Sequence, residues 1–531
     1  MLNWLCRYGW AFVWFALLTT AYLFRHIFPV DETRYLSVAW EMWVRGDFLL
    51  PYLNGELYSH KPPMLFWLFQ LGWSVFGVNE WWPRLVPPLF ALGGLFLVRM
   101  LARQIWPQKS NIAILTPWIL GSCVFWAIFT TSVMFDMLLM VMVLLAMLGI
   151  WRAASENTPG NWLIVGIACG LGMLIKGPVM MAHIFFPAVL APWWSQEVSH
   201  NKLRWYVGLL LALLLATIIA LCWLVPAIYA GGASYEQNIL WHQSVDRAIS
   251  SFAHNRPFWW YLSLVPFILF PWLVWPPAWR AFANLRNSKD KGIRFLLFWV
   301  LPTFVLFSLI SGKQVHYLIP LFPPVALLLA GAINGWQYEA NRKDQLLPAL
   351  IVVLAGVTLI VLPELNLIWL PDLSEFTLVG WGVAIIVFAG LLVLRNWQKA
   401  TDAVIPLALV SGGLTVMLMA AVLPVADSVQ NVTPTAMQLA NWQEQGKPIA
   451  HLGKYHGQFQ FAGRLKKPLV IINKNELNTW SNAHPDGYVV TYENSPPGPD
   501  NLPPAFAQQY RNHWIVVWTA ASIKEQSGLS N

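Results

Sequence analysis

Apolar stretches long enough to cross a bilayer recur from one end of this chain to the other, and they leave room for little besides a bundle of membrane-spanning helices. A hydrocarbon core takes about 20 residues of helix. Thirteen stretches approach that length: 8–28, 84–104, 111–131, 134–152, 162–176, 178–195, 205–229, 258–279, 293–311, 315–335, 346–364, 376–395 and 403–424. The chain as a whole is 57% hydrophobic and only 11% charged, whereas soluble domains carry roughly 25% charged residues. A soluble globular enzyme is thereby excluded. The net charge of +8 belongs to the loops of a polytopic membrane protein and not to a nucleic-acid-binding surface. Cys6, Cys123, Cys169 and Cys222 lie in or beside apolar runs without paired metal spacing, and read as small buried apolar residues. The run from Trp10 to Phe24 continues into Ile27 and Phe28 with no small-residue cleavage site, so it is a retained first span and not a removed signal.

Lys and Arg set the orientation of such a bundle. Arg99, Arg103 and Lys109, then Arg152, Lys202 and Arg204, Arg280 to Arg294, Arg342 and Lys343, and Arg395 and Lys399 recur at alternate connections. That face is expected to be cytoplasmic, together with the N-terminus. Thirteen spans then put the C-terminal tail on the outer side, which is the periplasm in a bacterium with two membranes.

Two outer segments are rich in polar residues. In the first, 29–83, Tyr35, Val38, Ala39, Met42 and Trp43 follow the spacing of one apolar helical face. Pro29 and Asp31 start this helix and Gly46 ends it, so a short amphipathic helix on the outer membrane surface is expected. The run Met64–Val78 is too short to span and is read as a re-entrant or interfacial helix. The second outer segment, 231–257, is polar and aromatic. After Pro424 the composition turns polar, with strand-like runs at 449–453, 459–463, 469–473, 488–492 and 514–519 between Pro and Gly turns. The expected organisation is a membrane module over 1–424 and a small periplasmic α/β domain over 425–531.

Ionisable residues gather at the outer helix ends. They are Asp31, Glu32 and Arg34 after the first span, His60 and Lys61 before the re-entrant run, and Asp136 between the third and fourth spans. Lys176 precedes Gly177 and Pro178, His254 and Arg256 lie in the second outer segment, and Lys313, His316 and Tyr317 lie between the ninth and tenth spans. Each has a dull reading. Asp31 can be a helix cap, Lys61 and Lys176 can snorkel to headgroups, Asp136 can be a turn residue, His254 a loop histidine, and Tyr317 part of an aromatic belt. Their concurrence on one face is what marks a site, because charge near the membrane is expensive. Several cations there suit a phosphate, and a carboxylate beside them can take a proton or orient a nucleophile. No GxGxxG follows a strand and no Walker loop occurs, so no nucleotide cofactor is expected. The residues alone give an outward-facing site for a phospholipid or polyprenyl phosphate.

The stretches DETRY (31–35), GDFLLPYLNGELYSHKPP (46–63), FGVNEWWPRL (76–85), IKGP (175–178), HNRPFWWY (254–261) and SGKQVHYLIP (311–320) together resemble the bacterial protein mannosyltransferase-like glycosyltransferases. Within them they are most similar to the aminoarabinose transferases of lipid A. The resemblance covers most of the membrane part. It implies a polytopic α-helical C-type glycosyltransferase fold of about 13 spans. It implies transfer of a sugar, with inversion, from undecaprenyl phosphate to an outward-facing acceptor, either a lipid A-like glycolipid or a protein. It places catalytic roles on Asp31, Lys61 and Asp136, and donor or acceptor contacts on Arg34, Tyr58, Lys176 and Tyr317; the grouping of charges itself adds Arg256 and Lys313 as further cations for the substrate. His254 falls on a histidine linked to a metal site, so His60 and His254 are candidate ligands for a divalent ion such as zinc. His60 itself departs from the family, which has an acid before the lysine. A carrier or flippase of lipid-linked sugars is the main alternative, and a glycan-binding sensor a third. Charges confined to one face and the lack of paired interrupted half-repeats weigh against transport.

Overall fold

The computed structural model describes residues 2–239, 255–283, 285, 288–335, 341–365, 373–394, 397, 399–497 and 503–523. Eight helices in it are long and apolar enough to cross a membrane, and Ser110–Gly121 with Val124–Thr130 forms a ninth span bent by 71°. Trp10–Phe24, Val179–Val189 and Leu378–Val393 are apolar but shorter. Another expected span is not continuous either: 258–279 holds Trp260–Ile268, the turn Trp272–Val274 and the start of Pro276–Ala283. Its Pro266, Pro271, Pro276 and Pro277 remove the amide donors a straight helix needs.

The two interrupted stretches meet at their breaks. The Val124 amide, released by the bend, donates to the Phe270 carbonyl at 3.1 Å. The Trp272 indole donates to the Ile119 carbonyl at 2.9 Å, and the Ser411 hydroxyl donates to the Ser122 carbonyl at 2.7 Å. With no water at this depth, irregular backbone persists only where protein groups satisfy it. Helix Asp136–Ala153 runs through the centre of the bundle with apolar residues on every side and is buried nearly all round, as a helix without a polar face must be.

Connections between helices gather at the ends of the bundle. At one end Lys291 meets Glu197 at 3.0 Å, Arg280 meets Asp344 at 2.9 Å, and the Trp106 indole donates to Asp290 at 2.9 Å. At the other end stand the first outer segment and the residues after it.

That segment forms helix Asp31–Arg45, closed by Gly46 in the left-handed conformation (φ 68), whose amide reaches the Met42 and Trp43 carbonyls. Tyr35, Val38, Ala39 and Met42 are buried as expected. The expectation of a membrane-surface helix is corrected, because its opposite face is covered too. The Ser37 hydroxyl donates to the Gly457 carbonyl at 2.5 Å, and the Trp40 indole donates to the Leu465 carbonyl at 2.8 Å. Strands β1 (Tyr52–Leu53) and β2 (Glu56–Leu57) form a hairpin around Asn54 and Gly55, both at positive φ, the pair such a tight turn favours. The Asn54 side chain binds the Leu469 amide and carbonyl and the Gln460 amide group. Helix Met64–Phe76, at 13 residues, is too short to span.

The last membrane helix, Ala400–Gln430, continues past Pro424, so the composition change does not coincide with a helix end. A helix, Thr433–Glu444, leads into a five-stranded sheet of β3 (Ile449–Leu452), β4 (Val470–Ile472), β5 (Tyr488–Glu493), β6 (Phe506–Tyr510) and β7 (His513–Thr519), ordered β4-β3-β5-β7-β6. Strand β3 is parallel to β4 and β5, and β7 is antiparallel to β5 and β6. The expected strand at 459–463 is a short helix, Gln460–Gly463. Its strand-like alternation comes from Phe459 in the domain core and Phe461 stacked on Trp73 at 5.3 Å, which is a docking contact. Strand β6 escaped notice because Gln508 and Gln509 interrupt its apolar pattern.

Candidate active site

Asp31 and Arg34 stand one turn apart at the start of helix Asp31–Arg45, and Arg34 donates to the Asp31 carboxylate at 2.8 Å. The Asp31 side chain is about half open to solvent (49%) and that of Arg34 mostly covered. Glu32, between them in sequence, is buried on the other side. It takes two bonds from the Arg25 guanidinium at 2.6 and 3.0 Å, and one each from the Phe28 and Val133 amides at 2.9 Å. Burial alone would push its carboxyl up, yet Arg25 and these donors hold it below the usual carboxylate range. Glu32 is therefore an ionised bolt. With Arg25 also donating to the Thr131 carbonyl at 2.7 Å, it fixes the start of the helix against the connection that carries Asp136.

An aromatic wall joins the two. Tyr35 meets Phe135 edge-on at 4.9 Å, Phe135 meets Phe66 at 5.7 Å, and Phe66 meets Tyr58 at 6.3 Å. Such edge-to-face contacts suit the ring quadrupoles. The Lys61 ammonium lies 5.8 Å from the Phe135 ring centre, within cation–π reach. Burial raises the Tyr35 hydroxyl well above its ordinary pKa, and Tyr58, Asp31, Arg34 and Asp136 are the groups whose charges it feels. Tyr35 is thus a neutral phenol within electrostatic reach of both Asp31 and Asp136.

Asp136 opens helix Asp136–Ala153, where the helix dipole favours a carboxylate. Lys176 ends helix Pro159–Lys176, stopped by Gly177 at φ 66. The two form a buried ion pair, and the Lys176 ammonium lies 4.7 Å from the Tyr317 ring centre. His316 stacks on Phe129 at 5.4 Å and meets Tyr317 at 4.9 Å. Lys176, His316 and Lys61 are all within electrostatic reach of Asp136. Asp31, Arg34, Tyr58, Lys61, Asp136, Lys176 and Tyr317 thus gather at one end of the bundle.

Arg256 and Lys313 meet through the backbone. Lys313 is buried, and its ammonium donates to the Arg256 carbonyl at 2.9 Å and the Ile310 carbonyl at 2.5 Å. The Arg256 amide donates to the Ser311 carbonyl at 3.1 Å, and its exposed guanidinium lies 5.7 Å from the Trp260 ring centre. The pair ties two outer loops together, since a buried ammonium must spend its donors on nearby carbonyls. His60 is exposed and stacks on Tyr58 at 5.0 Å. His254 lies outside the described residues. Among the described residues no three His, Cys, Asp or Glu side chains stand close enough to share a metal ion. Tyr35 and Phe135 escaped the sequence reading as site residues because both fit an apolar pattern. The one signal was the position of Tyr35 directly after Arg34.

Residues 60–223 match the family described as dolichyl-phosphate-mannose-protein mannosyltransferase. The chain is 28% identical over 87% of its length to the undecaprenyl phosphate-alpha-4-amino-4-deoxy-L-arabinose arabinosyl transferase 1 of Pseudomonas fluorescens, covering 80% of that protein. It is 29% identical to the same organism's transferase 2, over 89% of this chain and 87% of that one. The crystal structure of ArnT from Cupriavidus metallidurans bound to undecaprenyl phosphate superposes with a TM-score of 0.78 at 19% identity, covering 96% of this chain and 98% of that one. The fold is that of the C-type glycosyltransferases, as the sequence motifs implied, and the chain is a multi-pass membrane protein.

Proposed function

We propose that this C-type glycosyltransferase fold works in a bacterial inner membrane, moving a sugar from undecaprenyl phosphate to a phosphorylated, lipid A-like glycolipid at the outer face. The observation that carries the reading is the gathering of Lys61 over Phe135, Lys176 over Tyr317 and the Asp31–Arg34 pair at one end of the bundle. The names of the relatives, which concern an undecaprenyl phosphate-linked aminopentose, support a pentose as the sugar.

The acceptor oxygen forms a bond to the anomeric carbon on the face opposite the donor phosphate. The bond from that carbon to the phosphate oxygen breaks, its electron pair leaves with the oxygen, and undecaprenyl phosphate is released with inversion at the sugar. Lys61 and Lys176 neutralise the charge that grows on this oxygen, and a cation placed beforehand acts most strongly where water is excluded. Asp136 positions Lys176. Asp31, held by Arg34, orients the acceptor. It takes a proton only if the acceptor is a hydroxyl, because an acceptor phosphate is already ionised. Tyr58 and Tyr317 line the path of the donor, and Arg256 and Lys313 hold the loops around it. The N-terminus lies in the cytoplasm and the sheet domain in the periplasm.

The test uses the purified chain in lipid with radiolabelled undecaprenyl-phosphate sugars and lipid A as acceptor. Wild type should label lipid A, and Lys61→Ala should not. Label moving only to another membrane component would replace the acceptor. No transfer from any donor by folded protein would refute the reading and favour a carrier of lipid-linked sugars.

A further inference from the structure

The sheet domain brings its own charged residues to the candidate site. Strand β3 lies between β4 and β5 and runs parallel to both. The loop after it, 453–458, leaves from the carboxyl ends of parallel strands, the edge where open α/β sheets bind ligands. This loop is pinned to helix Asp31–Arg45. The Gly457 carbonyl accepts from Ser37, and Ser37 in turn accepts from the Phe461 amide at 3.1 Å. Ser37 is one turn beyond Arg34. Gly457 is at φ +79, and a Cβ there would stand 2.4 Å from the Leu53 side chain, so only glycine permits so close an approach. The residue before it, His456, is half-buried, and the charges it feels are those of Arg34, Lys454 and Asp31. Lys454 is exposed. Arg34 and Asp31 already neutralise each other at 2.8 Å, whereas the Lys454 ammonium and the His456 ring make no hydrogen bond or ion pair among the described residues.

We propose that loop 453–458 forms the outer rim of the active site, and that His456 and Lys454 bind a phosphate of the acceptor glycolipid. The inference rests on the glycosyltransferase reading and adds the acceptor's subsite to it. It makes His456 a residue for acceptor recognition, with no part in the departure of the donor phosphate.

The test measures binding of lipid A and of dephosphorylated lipid A to the full chain in nanodiscs, and transfer kinetics, for wild type, His456→Ala, His456→Gln and Lys454→Ala. Wild type should prefer the phosphorylated lipid. His456→Ala and Lys454→Ala should each weaken its binding and raise the acceptor KM about tenfold, as loss of one bond to a charged group does. The donor KM and the unfolding midpoint should not move, and His456→Gln, which keeps a donor, should recover most of the loss. Equal binding of both lipids by wild type, or unchanged acceptor KM in both alanine variants, would overturn the proposal, as would donor and acceptor KM rising together. Phosphate-dependent binding through His456 without any transfer would uphold the rim and refute the reaction.

Discussion

Lys176 and Asp136 face each other with side chains only 6% and 2% exposed, joining the last turn of one membrane helix to the first turn of another. A buried pair of this kind adds little net stability when intact, and removing one partner is expensive because the other charge is stranded.

Asp136→Ala should therefore destabilise the chain by about 3–5 kcal/mol, while the double variant Asp136→Ala with Lys176→Met should lose much less. Thermal unfolding in detergent measures both. Equal losses would mean that the pair is not coupled in the folded protein.

Asp31 stands on the solvent side of its helix, so its substitution should separate chemistry from folding. Asp31→Asn is expected to lower transfer by at least about 10²-fold and to leave stability within about 0.5 kcal/mol, as for exposed sites. If turnover persists near the wild-type rate, Asp31 has no role in positioning the acceptor.

His26 links the end of the first helix to the last one. Its Nδ1 lies 2.9 Å from the Asp427 carboxylate, its amide donates to the same group at 2.6 Å, and Asn431 is within 3.0 Å. The bond to Asp427 raises the imidazole above its ordinary 6.5 against the effect of burial, with Glu80 adding to the rise and Arg84 opposing it. A raised folded value means the tie is fully present below about pH 6.5 and is lost as pH climbs through the folded value. The ring is half exposed, so the effect should stay below about 1 kcal/mol. Unfolding midpoints from pH 6 to 9 should fall more steeply for wild type than for His26→Gln, and parallel curves would exclude the tie.

Chelation tests the metal directly. Among the described residues no three donors stand close enough to share a metal ion, and transfer that survives extended dialysis against EDTA would show that the reaction needs none. Loss of activity that zinc restores would show that residues outside the described ones, His254 among them, complete a site with His60.

Much of this was legible in the sequence, and the reason differs by element. Spans are legible because the bilayer imposes one length and one polarity on them. Helix Asp31–Arg45 could be bounded closely, since Asp31 starts it and Gly46, at φ 68, stops it. The grouping of Asp31, Lys61, Asp136 and Lys176 was legible because ionisable residues are scarce near a membrane. The second cover on that helix was not, because Ser37 and Trp40 look like a solvent face until residues more than 400 positions later arrive. The breaks at Cys123 and Phe270 were passed over although Gly121, Ser122 and Pro271 mark them, because the apolar runs on either side add up to the length of one span. Lys313 was grouped with the site on charge alone, whereas its role depends on which carbonyls lie within its reach.

The double cover of helix Asp31–Arg45 has a consequence for how the protein is made. The helix is among the first outward segments to be synthesised, and Gly457 and Leu465, which seal it, are among the last. A ribosome must therefore translate the whole bundle before Ser37 and Trp40 find their partners. A chain cut short by a stop codon before residue 457 should leave this helix half-covered and open to proteases. Survival of the helix in the cell would then report that synthesis reached the sheet, and a truncated chain would be removed.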